Sequence, residues 1–188
     1  MADQSEGMIK EAISHCANLP FASIRGEAVD AVNLPFAERT FDVVLAMHML
    51  YHVPDQIKAI AEMHRVLKPG GMLAVTTNGS TNLAELYKLA TILGSDPVDP
   101  SAMAFGYERA TELLQQQFGN VSQMIYPASL QVTDPTAVYF ALTSYPPGDC
   151  ADEETLAALR HAIDAAFARH SGLLHVHKDT ALFISTKQ

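Results

Sequence analysis

The sequence predicts an α/β fold, a mostly parallel sheet with flanking helices. Three observations carry that expectation. Phe41-Asp42-Val43-Val44-Leu45-Ala46-Met47 is nearly continuous in apolar character, as suits a strand buried on both faces of a parallel sheet. A helical segment follows, capped by Asp55, turning Ile57, Ile60, Ala61, His64 and Leu67 inward. Lys68-Pro69-Gly70-Gly71 stops it, and a second apolar run, Met72–Thr76, begins at once. Strand, helix and strand with short links form the right-handed crossover unit of such a sheet.

The remaining elements are read in chain order. Ser5 caps a helix over Ser5–Ala17 with Met8, Ile9, Ala12, Ile13 and Cys16 on one stripe, and Phe21–Arg25, closed by Gly26, reads as a short strand. Beyond Asn78 the pattern loosens. Leu83–Leu93 and Ala110–Phe118 read as helices, with a mobile-looking Gly94–Gly106 segment between them. Val121–Tyr126 alternates as a strand does, and Ala151–Arg169 is the clearest helix, acidic at its start and basic at its end. Leu173–Ser185 reads as one strand, or as a hairpin turning at Lys178-Asp179.

Composition bounds the function. A chain of 188 residues, 48% hydrophobic and 18% charged, has the length and apolar content of one packed domain. Its formal charge of −9 argues against nucleic acid, which demands clustered positive charge. No apolar run is long enough to span a membrane, and Met1–Glu6 lacks the basic flank and apolar stretch of a secretion signal. The two cysteines, Cys16 and Cys150, have no zinc spacing and suit a reducing cytoplasm.

The informative block runs from Asp3 to Gly79. Asp3-Gln4-Ser5-Glu6-Gly7-Met8, Gly26-Glu27-Ala28, Leu34-Pro35-Phe36, Phe41-Asp42-Val43-Val44, His52-Val53-Pro54-Asp55 and Glu62 through Gly71 stand in one order and spacing. Together they resemble the class I S-adenosylmethionine-dependent methyltransferases, most nearly the small-molecule group called methyltransferase type 11. The resemblance implies a Rossmann-like fold, with the cofactor outside the carboxyl ends of the strands. It places Asp3 on the cofactor ribose, Glu27 on the adenine amine with the Ala28 backbone beside the ring, and Ala46, Met47 and His48 along the methionine portion. Glu27 stands where the family usually has aspartate. The family also opens with a strand and a glycine-rich turn, and the ten glycines here include only one adjacent pair, Gly70-Gly71. The resemblance therefore implies a domain without its first strand and helix: a fragment, a degenerate domain, or one completed by another chain.

On that reading, residues 1–188 form one domain. Residues 1–80 are the cofactor-side core, 81–147 the lid and substrate-pocket segment, and 148–188 a terminal helix and strand or strands. His48 and His52 flank the expected active-site rim as candidate general bases; His52 also reads as a packed residue orienting its loop. Tyr139, Phe140 and Tyr145 are the candidate substrate-pocket walls. No metal site is expected: His175 and His177 share a strand face without a third ligand nearby. Glu62 and Arg65 read as a surface or helix-to-loop ion pair. Two functions compete, methyl transfer to a small-molecule acceptor and a methyltransferase-like binding or regulatory subunit. Without a first strand, Phe41–Met47 presents an apolar edge, to be covered by Phe21–Arg25 or by a second copy in a homodimer.

Overall fold

The computed structural model describes residues 1–188, the side chain of Pro127 excepted. In chain order the elements are β1 (Ala2–Asp3), α1 (Glu6–Cys16), β2 (Glu27–Ala28), β3 (Phe41–Met47), α2 (Gln56–Val66) and β4 (Leu67–Asn78). Then come α3 (Ala84–Ala90), α4 (Pro100–Phe105), α5 (Tyr107–Phe118), β5 (Ser122–Val132), α6 (Pro135–Thr143), α7 (Glu153–Arg169) and β6 (Leu174–Thr186). The fold is α/β, with helices flanking a mixed sheet ordered β3-β4-β6-β5; β1 and β2 form a separate parallel pair. The β3–β4 pair is parallel, whereas β4–β6 and β5–β6 are antiparallel.

The crossover unit β3–α2–β4 forms as its pattern requires. Asp55 accepts the Lys58 N–H at 3.0 Å and so caps α2, which buries Ala59, Ile60, Met63 and Val66. The buried stripe is rotated from the expected one: Met63 faces inward, while Ile57 is 55% exposed. The far end of α2 is closed from the other end of the chain. Lys187 Nζ donates to the carbonyls of His64 (2.8 Å) and Leu67 (2.9 Å), satisfying acceptors that a helix terminus leaves open. Strand β4 starts before the Pro-Gly-Gly turn rather than after it, and its register against β3 jumps from Leu67 to Met72. Gly70, with φ of +79°, takes a left-handed conformation that other residues adopt at a cost.

Several expectations are corrected. Phe21–Arg25 is not a strand and does not pair with β3; the strand is Glu27–Ala28, two residues later. With β1 only two residues long, there is no neighbour to pair with a longer segment, and Phe21 lies 60% exposed. Gly26 sits where α1 crosses, since a Cβ there would collide with Ile9 and Ile13. The Gly94–Gly106 segment contains α4, and the stretch after β5 contains α6. Leu173–Ser185 is one continuous strand with no hairpin turn at Lys178-Asp179, because its antiparallel partner β5 runs alongside it from Val132 back to Ser122.

That long strand joins two cores. Ala181 and Phe183 of β6 pack with Leu50, Ile60, Leu73, Phe105 and Leu114, while Leu174 and Val176 pack with Leu142, Leu159, Ile163 and Phe167. Among the described residues, β3 has a partner strand on one side only, and Val43, Leu45 and Met47 on one of its faces are 46%, 64% and 42% exposed. No helix among the described residues is long and apolar enough to cross a membrane.

Candidate functional site

The first candidate region is a groove of about 1000 Å³ between the β1–β2 pair and β3. It is lined by Asp3 and Glu27 on one side, by Val43 and Leu45 on the other, and by His52 and Val53 beyond the end of β3. The register Ala2↔Glu27 and Asp3↔Ala28 puts the two carboxylates on adjacent rungs of parallel strands. Each sits at its strand's carboxyl end or one residue from it, where ligands bind in open α/β sheets. Asp3 Oδ1 accepts the Ser5 N–H at 2.8 Å, and Ser5 Oγ in turn caps α1. The same turn that starts the helix thus orients the Asp3 carboxylate.

The lower wall of this groove depends on a clamp. Arg65 donates to the carbonyls of Leu34 (2.9 Å) and Phe36 (2.8 Å) and to both oxygens of Glu62, and Glu62 accepts the Leu34 N–H at 2.9 Å. Of the two expected readings, a surface or a helix-to-loop ion pair, the second holds: Glu62 and Arg65 tie Leu34-Pro35-Phe36 to α2. The Arg65 guanidinium holds the Glu62 carboxyl below the usual glutamate range.

The second region lies past the carboxyl ends of β3 and β4. His48 leaves β3 with φ of +50°, in the left-handed region. Its N–H is held by Thr76, at 3.0 Å from the side-chain oxygen and 3.2 Å from the carbonyl. Burial, with Lys178 adding to it, pushes the His48 imidazole below its ordinary value, so the ring is neutral near pH 7. Next to it, Asn78 at the end of β4 donates to Asp99 Oδ2 (3.1 Å) and Ser101 Oγ (2.9 Å). Asn82 donates to the same Asp99 oxygen at 2.6 Å, and Asp99 Oδ1 caps α4 by accepting from Ser101. Asp99 is buried, only 4% exposed. Burial raises the phenols of Tyr51, Tyr87 and Tyr145, and the negative charge of Asp99 pushes each further in the same direction.

The sequence-derived candidates separate between these regions. Asp3, Glu27 and His52 line the groove; Ala28 is exposed beside Glu27. Ala46 is fully buried in the core, so its side chain faces away from both regions, and Met47 is partly exposed with its sulfur accepting from Thr76 Oγ1 at 3.7 Å. Tyr145 lines a second cavity of about 560 Å³ with Tyr87 and Met103. Tyr139 and Phe140 do not belong to that lining: Tyr139 lies in the second core under Arg160, 4.1 Å from the ring centre, and Phe140 points to solvent, 63% exposed. Sequence reasoning missed Asp99, Asn78, Asn82, Tyr87 and Tyr51. The Asp99-Pro100 pair was a legible signal, a capping residue followed by proline at the first helical position.

Comparison with known proteins supplies the remaining evidence. Residues 1–75 match the family model described as a methyltransferase domain. Over 72 residues the chain is 44% identical to a demethylmenaquinone methyltransferase of Desulfitobacterium hafniense, a match covering 38% of this chain and 28% of that protein. The chain thus spans under a third of the length of this curated relative. Its fold resembles the YcgJ protein of Bacillus subtilis, with a TM-score of 0.62 at 17% identity, covering 100% of this chain and 81% of that one. It also resembles Haemonchus contortus phosphoethanolamine N-methyltransferase 2, solved with S-adenosylhomocysteine, with a TM-score of 0.52 at 17% identity, covering 99% and 43%. Residues 1–75 carry methyltransferase-domain sequence, and the chain has the Rossmann-like α/β fold of the class I S-adenosylmethionine-dependent methyltransferases.

Proposed function

We propose that the chain serves S-adenosylmethionine-dependent methyl transfer to a small-molecule acceptor. The observation that carries this reading is the pair of carboxylates, Asp3 and Glu27, on adjacent rungs of parallel strands, lining one groove with His52. The donor set fits the cofactor. Carboxylates accept hydrogen bonds from ribose hydroxyls and from an adenine amine, and Val29, Ala31 and Leu45 supply apolar wall for the ring. When bound, the cofactor supplies an electrophilic methyl group on a sulfonium.

The chain's own residues have modest tasks in such a reaction. Methyl transfer by in-line displacement depends chiefly on alignment and exclusion of water, with proton removal from the acceptor as a further aid. His48, whose imidazole is shifted below its ordinary value, is able to take that proton at its ring nitrogen, and His52 stands at the groove end as the second candidate. Tyr145 and Tyr87, past the end of β3, wall the acceptor side.

Calorimetric titration with S-adenosylmethionine and S-adenosylhomocysteine tests the reading. Binding in the micromolar range is the expected result. No heat and no thermal shift at millimolar ligand overturns it.

A further inference from the structure

The cavity beside Tyr145 has a chemical bias that methyl transfer as such does not require. Its wall combines the rings of Tyr87 and Tyr145 with Met103, Pro146 and Pro147, and its one ionisable group besides the phenols is a carboxylate, Asp96. No lysine, arginine or histidine contributes to that wall. Behind it lies Asp99, whose carboxylate is buried to 4% exposure and accepts from Asn78, Asn82 and Ser101, with the Tyr87 phenol as a further donor; all are neutral. Among the described residues, no cationic side chain pairs with it within 4.0 Å. Buried charges are ordinarily paired with an opposite charge, because the low-dielectric interior leaves them poorly solvated. Capping of α4 accounts for one oxygen of Asp99 and two asparagine amides for the other, yet the charge itself has no counter-ion. Its field falls on Tyr51, Tyr87, Tyr145 and His48, groups drawn from four segments that converge on this spot.

Aromatic faces and a buried carboxylate without a counter-ion together select a cation. A phenol face attracts positive charge through its ring quadrupole, and small alkylated ammonium groups, being weakly hydrated, gain most from it. Building on the methyl-transfer reading, we propose that the Tyr87–Tyr145 cavity recognises an acceptor carrying an amine or alkylammonium group, held over the two rings in the field of Asp99. The acceptor class is then a cationic amine rather than a neutral phenol or a carboxylic acid.

The test compares choline with 3,3-dimethyl-1-butanol, which has the same shape with carbon in place of the charged nitrogen. The chain has six tyrosines and no tryptophan, so tyrosine emission, to which the two cavity tyrosines contribute, is read without tryptophan interference. Choline is expected to give a saturable change, with the alcohol binding about tenfold more weakly or worse. Tyr145→Leu is expected to weaken choline binding several-fold while leaving the melting temperature nearly unchanged, since Tyr145 is 45% exposed. Asp99→Asn should weaken it further; if that variant does not fold, the Tyr145 variant and the neutral analogue still decide. Equal binding of choline and the alcohol, or no saturable binding of either, overturns the proposal. S-adenosylhomocysteine titration is run alongside. Cofactor binding without choline selectivity sinks the amine proposal alone, and choline selectivity without cofactor binding sustains the cavity and sinks the methyl-transfer reading.

Discussion

Glu62 accepts the backbone N–H of Leu34 at 2.9 Å, twenty-eight positions earlier in the chain. Arg65, one helical turn on, takes the Leu34 carbonyl at 2.9 Å, so α2 holds both polar groups of one loop residue. Glu62→Ala leaves the Leu34 N–H and the guanidinium without their acceptor, and should cost about 1–2 kcal/mol in urea unfolding. The pH dependence follows from the depressed carboxyl. Its contribution is complete above the ordinary glutamate pKa, about 4.3, and is lost as pH falls through the lower folded value. The acid limb of the stability curve should therefore be shallower in Glu62→Gln than in the parent chain.

Asp3 is fully at the surface of its groove, so its removal is a binding experiment rather than a folding one. Asp3→Asn keeps an oxygen for the Ser5 turn while losing the charge. Affinity for S-adenosylhomocysteine should fall roughly tenfold to a hundredfold, the loss expected for a charged acceptor of paired hydroxyls. An unchanged dissociation constant removes Asp3 from the cofactor site.

His48 should titrate below the ordinary histidine value of about 6.5, because burial and the nearby Lys178 both disfavour its charged form. Side-chain NMR across about pH 4.5–8.5, about two units either side of the ordinary value, reads this directly. If His48 takes the acceptor's proton, kcat/KM drops as pH falls through that same midpoint, and His48→Gln abolishes that inflection. A midpoint at or above 6.5 contradicts the burial argument.

We propose that a second copy covers the edge of β3 that has no partner strand among the described residues. Phe21–Arg25, the other cover the sequence suggested, does not pair with this edge. Sedimentation at micromolar concentration should show dimers. A well-folded parent monomer under those conditions refutes the dimer.

Much of the scaffold was legible because local rules agree with the fold. Asp55, Ser5 and Asp152 each cap the helix they precede, and each shows the bonded N–H that a capping side chain provides. The apolar runs of β3 and β4 paired in parallel as their crossover required. Burial was harder. The α2 stripe came out rotated because its partners, α5 and the sheet, set which residues face inward, and Met63 rather than Ile57 met them.

The sequence by itself determined the α/β class and the methyltransferase-like block over its first eighty residues; the resemblance singles out Asp3 and Glu27, and the strand expected before Glu27 lies at Glu27–Ala28 instead. Those properties are local: a period, a cap, a short motif, each readable within about ten residues. Only the tertiary structure decided that Leu173–Ser185 is one strand, since its long antiparallel neighbour β5 specifies it. Only the tertiary structure assembled Asp99, Asn78, Asn82, Tyr87 and Tyr145, which join from α3, α4, the end of β4 and the loop after α6. No sequence period links positions so far apart. They meet because β4 and the helices beyond it bury one carboxylate, and a buried carboxylate gathers every donor within reach.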